Sequence, residues 1–146
     1  MIRSRILLLH AYILFFAYLL NLFWEVAHAP LFEWSITIPA YILDVLLTAL
    51  GDAIVILIMY WIMVGINRNL RWIFDPSKRD YIVILGLGLI FGVLNEIISV
   101  HYLEKWEYNS LMPMIPLLDV GLSPVVQMLV LPLLTFWLVK NQFSSQ

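Results

Sequence analysis

A chain of 146 residues has room for one domain. With 63% hydrophobic and 12% charged residues, it carries too little polar surface to stay dissolved in water. A formal net charge of −2, without any basic patch interleaved with aromatics, excludes nucleic acid as a partner. With no cysteine, disulfides, thiolate catalysis and Cys-bound zinc or iron–sulfur centres are excluded.

Lipid as the solvent resolves the conflict between composition and solubility. A spanning helix needs about 20 mostly apolar residues to cross a hydrocarbon core of about 30 Å. Residues 6–29, 39–66, 81–103 and 117–139 qualify. They predict an all-α, polytopic membrane protein, a four-transmembrane-helix bundle forming a single domain over residues 1–146. Strand spans would be short and alternating, and these stretches are long and continuously apolar.

The first segment opens Met1-Ile2-Arg3-Ser4-Arg5, like the basic start of a signal peptide, and Ala27-His28-Ala29 imitates a cleavage site. The apolar run is too long for a signal, and Pro30 follows the imitated cut, so a retained first helix is expected. The second segment is longer than a bilayer needs, which implies tilt or projection. After it, Trp72 and Phe74 stand between basic residues, as in a segment lying at the membrane interface. Asp75-Pro76 reads as the start of the third helix, Asp as N-cap and Pro at the first helical position. Beyond that helix, Pro113 and Pro116 prevent a regular helix in the apolar run from Leu111 to Leu118. Residues 104–122 are therefore expected to form an apolar outer flap, with Ser123-Pro124 starting the span proper and Pro132 bending it. Most of Trp24, Trp34, Trp61, Trp72, Trp106 and Trp137 fall near span ends, as an aromatic belt would place them.

Basic residues set the expected orientation. Arg3, Arg5, Arg68, Arg71, Lys78, Arg79 and Lys140 fall on one side of four spans, and Lys105 alone on the other. The bias predicts cytoplasmic termini (N-in, C-in) in a bacterial inner membrane, with the connections at residues 30–37 and 104–116 facing outward.

Ionisable groups within spans cost about 2.5 to 3.5 kcal/mol each on insertion scales, so each needs an account. Tyr18, Asn21, Glu25 and His28 share one helical face by spacing, as do Tyr41, Asp44, Thr48 and Asp52. The third segment carries Gly88, Gly92, Asn95 and Ser99 on one stripe with Glu96 beside it, and the fourth carries Ser123 and Gln127. Except for Asp52 near the middle, these acids and their polar partners lie in the outer half, which describes a cup instead of a through-pore. Asn21, Thr48, Asn95, Ser99 and Gln127 could singly be interhelical glue, and Gly88 and Gly92 a packing pair. His10 is expected at the cytoplasmic rim as an interface residue. Glue rarely requires four carboxylates without one buried Lys or Arg, so Glu25, Asp44, Asp52 and Glu96 are the candidate catalytic residues, with His28 or His101 as base. Asn21, Asn95, Trp106, Tyr108 and Gln127 are the candidate substrate-binding residues.

Two chemistries fit. Glu25-x-x-His28 has the spacing by which di-metal helical bundles aim two side chains at one ion, and His101-x-x-Glu104 offers a second pair. Such a set suits a divalent zinc, iron or manganese ion. Haem ligation by His28 and His101 is disfavoured by their acidic neighbours. The second chemistry is metal-free acid–base work on a lipid or isoprenoid substrate. A small proton- or cation-coupled transporter working as a homo-oligomer, or an assembly or regulatory subunit docking a membrane protein partner, are the competing classes.

Overall fold

A computed structural model describes residues 2–34 and 36–144 of the chain; Met1 of the basic start, Ser35 of the first connection, and the side chains of residues 2–4 and 144 lie outside that description. Four helices account for the fold: α1 (Ile2–His28), α2 (Ile38–Asn67), α3 (Lys78–Glu96) and α4 (Leu122–Ser144). Each is long and apolar enough to cross a membrane. The α2 helix, at 30 residues, extends about 45 Å, well beyond a hydrocarbon core.

Helix α1 packs along both α2 and α4, and α4 packs along α3, whereas α2 and α3 meet at few points. The bundle is consequently open along its α2–α3 side. Its core is a column of Ile13, Ala17, Ala53, Ile56, Met59 and Met63, all fully buried. Large apolar side chains also cover the outside, among them Phe23, Ile38, Ile82 and Trp137. This inverts the dressing of a soluble bundle and is what a lipid-facing surface requires. The fold is that of an all-α, multi-pass membrane bundle.

Gly88 and Gly92 set the α3–α4 contact. A Cβ on Gly92 would stand 3.1 Å from the Met128 Cβ, and one on Gly88 would overlap the Met128 backbone. Small residues let the two backbones touch, the packing role that their spacing predicts.

At the end of the bundle that holds the termini, α2 stops at Arg68, whose φ of 50° is the left-handed conformation that closes many helices. The following 3₁₀ turn, Trp72–Phe74, buries Trp72 and Ile73. Trp72 packs 5.2 Å from the Phe136 ring and 6.1 Å from Tyr60, whose hydroxyl donates to the Leu70 carbonyl at 2.7 Å. The turn thus plugs the bundle instead of lying along the interface as expected. Two large side chains gain more by filling the space between α2 and α4 than by resting on headgroups. His10 is likewise packed inward, 5.5 Å from the Tyr60 ring and 5.2 Å from Trp61.

Helix α3 begins two residues later than Asp75-Pro76 predicts. Ser77 is the N-cap, in a reciprocal capping box with Asp80. Asp80 also accepts a hydrogen bond from Asn67 at 2.9 Å, tying the end of α2 to the start of α3.

At the opposite end, the backbone that cannot be helical is paired as short strands. β1 (Phe32–Glu33) pairs with β2 (Glu107–Tyr108), setting Phe32 opposite Tyr108. β3 (Met114–Ile115) pairs with β4 (Val120–Gly121) around a turn in which Asp119 takes a φ of 51°. Asn109 stitches the two connections together, donating from its side chain to the Pro30 carbonyl at 2.6 Å and from its backbone to Leu31 at 3.1 Å. Residues 104–122, expected to form an apolar outer flap, carry β2 and the β3–β4 hairpin. We call this the hairpin end.

Candidate functional site

The polar faces of the four helices converge beneath the hairpin end, one chemical group from each: Glu25 on α1, Asp52 on α2, Glu96 on α3 and Gln127 on α4. Gln127 is the hub. Its amide nitrogen lies 2.9 Å from Asn21 Oδ1, 2.9 Å from Glu25 Oε1 and 3.0 Å from Asp52 Oδ2. Asn21 donates its own amide to the Ala17 carbonyl at 2.8 Å, which turns its oxygen toward Gln127. An amide nitrogen carries two hydrogens, so it cannot fully serve three acceptors. Glu25 and Asp52 also lie within hydrogen-bonding reach of each other. Both carboxyls therefore draw on the same two hydrogens of the Gln127 amide.

Glu25 continues outward to His28. Its second oxygen, Oε2, sits 3.1 Å from His28 Nε2, and the other ring nitrogen, Nδ1, is 3.0 Å from the Ser123 hydroxyl. The imidazole is thereby held between α1 and the first turn of α4. Ser123 does not face the cleft, so it positions the ring.

Glu96 is almost fully buried at 1% exposure and accepts a hydrogen bond from the Tyr108 hydroxyl. Burial, followed by the bond to Glu96, pushes the Tyr108 phenol well above its ordinary pKa, so this group stays a donor. Tyr108 is pressed inward because Gly121 has no side chain: a Cβ there would stand 2.9 Å from the Tyr108 ring. The Trp106 indole N–H is buried beside Glu96 and approaches it without forming a well-aligned hydrogen bond.

These groups line a narrow cleft of about 30 Å³. Glu25, His28, Asp52, Glu96 and Gln127 form its polar floor and walls. Phe32, Trp34 and Trp106 line it from the hairpin end, and Asp44, Thr48 and Asn95 line it from α2 and α3. Asp44 and Asn95 are exposed, on the two helices that meet least. The aromatic cover is continuous: Phe32 lies 6.2 Å from Trp106, 5.6 Å from Tyr108 and 6.1 Å from Trp34, and Trp34 sits 4.6 Å from Tyr41.

Most of the candidate residues therefore meet: Asn21, Glu25, His28, Asp44, Asp52, Asn95, Glu96, Trp106, Tyr108 and Gln127 line the cleft or bond to residues that do. His101 and Glu104 do not. Both are exposed, and among the described residues no three His, Asp or Glu side chains come together as a metal site. The pairing of Glu25-x-x-His28 with His101-x-x-Glu104 fails because α3 changes its winding. From Ile97 to Tyr102 the backbone is π-helical. A wider turn rotates later side chains off the face projected at α-helical spacing, so Ser99 is buried where His101 is not.

Residue spacing also missed Phe32, Trp34 and the His28–Ser123 contact. A tryptophan near a span end reads as belt, and only the β1–β2 pairing brings Phe32 and Trp34 over the acids. No protein-family model, curated protein or solved structure matches this chain.

Proposed function

We propose that this chain is a membrane-embedded enzyme that moves a proton to or from a lipid or isoprenoid substrate in the cleft at the hairpin end. The observation that carries the reading is the meeting of Glu25, Asp52, Glu96 and Gln127, one from each helix, on a single cleft. Helix-to-helix glue is better supplied by amides and hydroxyls, which carry no ionisation cost. Carboxyls held in a low-dielectric pocket are instead suited to general acid–base work.

In this reading Glu96, bonded by Tyr108, is the proton donor, and the Glu25–Asp52 pair is the acceptor. His28 relays between the pair and the mouth. Asp44 and Asn95 meet the substrate's polar head. The open α2–α3 side supports entry from the bilayer, and the aromatic cover limits access of water to the reacting groups. With the basic end in the cytoplasm, the cleft serves the outer leaflet. The apolar column of Ile13, Ala17, Ile56, Met59 and Met63 beneath Asn21 and Asp52 favours this over coupled transport, because it offers a moving ion no polar group.

The test is to incubate the purified protein in nanodiscs with a total membrane lipid extract and follow lipid masses and isomer retention times. Wild type should convert one lipid class, and Glu96→Gln or Asp52→Asn should slow that conversion at least about 100-fold. No change in any lipid, or variants indistinguishable from wild type, would remove the enzyme reading.

A further inference from the structure

A second cavity, remote from the acids, lies at the end that holds the termini. Gly88 and Gly92 bring α3 onto α4 at Met128, but nearer the termini the space between the helices is not filled by their own side chains. It is a groove of about 620 Å³, within the range of small-molecule sites. Its walls are apolar, with Ile84 from α3 and Val130, Leu133, Leu134 and Trp137 from α4. Its rim is polar: Tyr81 on one side, Lys140 and Asn141 on the other.

Charge gives this groove an occupant. Lys78 and Arg79 lie in the turn of α3 just before Tyr81, and Lys140 stands across from it, so the rim belongs to the basic end of the bundle.

We infer that the groove is a binding site for one anionic phospholipid, its acyl chain between α3 and α4 and its phosphate at the basic rim beside Lys140. The chain alone would fit any lipid. The basic rim selects the anionic one.

Native mass spectrometry of the full chain in mild detergent tests this, with phosphatidylglycerol and phosphatidylcholine of identical acyl chains as probes. Wild type should retain phosphatidylglycerol in preference. Lys140→Gln should cut that retention about fivefold, the effect of losing one basic residue near an anionic headgroup. Arg68→Gln, at the same end but outside the groove, should leave it unchanged, and Leu134→Trp, which fills the groove, should lower retention of both lipids. Equal retention of the two lipids by wild type would overturn the inference. So would equal losses in Lys140→Gln and Arg68→Gln, or undiminished retention in Leu134→Trp.

Discussion

The β-carbon that Gly88 lacks would stand 2.2 Å from the carbonyl oxygen of Met128. That carbonyl is special within its own helix. Its usual donor would be the backbone N–H of residue 132, and residue 132 is proline. Gly88 therefore seats α3 against the one turn of α4 whose hydrogen-bond ladder is interrupted, where a Cα–H can face the unserved oxygen. Gly88→Ala should force the helices apart and cost about 1–3 kcal/mol, as overpacking does. Gly86→Ala, where nothing lies within 4 Å, should be neutral or slightly stabilising. Thermal unfolding in one detergent compares them. Equal midpoints for the two variants would show that the Gly88 contact contributes nothing.

Tyr108 reaches Glu96 from strand β2, so the cleft depends on a side chain that no helix positions. Tyr108→Phe should leave a buried carboxyl without its donor, at about 1–3 kcal/mol. Gly121→Ala should produce part of the same loss by pushing the ring outward, although it touches no acid. If the hydroxyl acts through Glu96, Tyr108→Phe should cost much less in a Glu96→Leu background. Strict additivity in that double-mutant cycle would show that the two residues do not act together.

What was legible in the sequence was whatever repeats at helical spacing. Asp44, Thr48 and Asp52 share a face, and they line the cleft together; Asn21 and Glu25 share another and meet at Gln127. The failures have local causes. The π turn after Glu96 carried His101 off its projected face. At Asp75-Pro76, the capping box of Ser77 and Asp80 supplied two hydrogen bonds that a proline start could not match. Trp72 and Phe32 were placed by partners distant in sequence, Phe136 and Tyr108, which no spacing rule reveals.

Because His101 and Glu104 stand apart from Glu25 and His28, a metal ion has no assembled ligand set among the described residues. Elemental analysis of the purified chain should return no stoichiometric zinc, iron or manganese. His101→Ala and Glu104→Ala should match wild type in stability within about 0.5 kcal/mol, as exposed substitutions do. One equivalent of metal per chain, lost in His101→Ala, would require a rearranged hairpin end.

Orientation follows from charge and is directly measurable. Arg68, Arg71, Lys78 and Arg79 share one connection, while Lys105 is the only Lys or Arg among the residues of the hairpin end. A reporter fused after Gln146 should be active in the cytoplasm, and a cysteine introduced at Leu117, which is 96% exposed, should react with an impermeant thiol reagent from outside the cell. Labelling of that cysteine only after lysis would invert the bundle and place the cleft in the opposite leaflet.

Gln127 is the residue on which the acidic centre turns, because among the described residues it donates to Glu25 and Asp52 together. Replacing it with methionine keeps its volume and removes its bonds to Asn21, Glu25 and Asp52, at about 2 kcal/mol for acceptors left partly unserved. Gln127→Glu is nearly isosteric but sets a third carboxyl against Glu25 and Asp52. It should cost about 3 kcal/mol or more, since a buried charge without a partner is among the most damaging changes a core can suffer. The order of the two variants is the informative part. If packing governed the position, the isosteric glutamate would be the milder change; if donation to the acids governs it, methionine is milder. Chemical unfolding of both variants decides between these, and a Gln127→Glu protein as stable as wild type would mean that Glu25 and Asp52 are not held together through this amide.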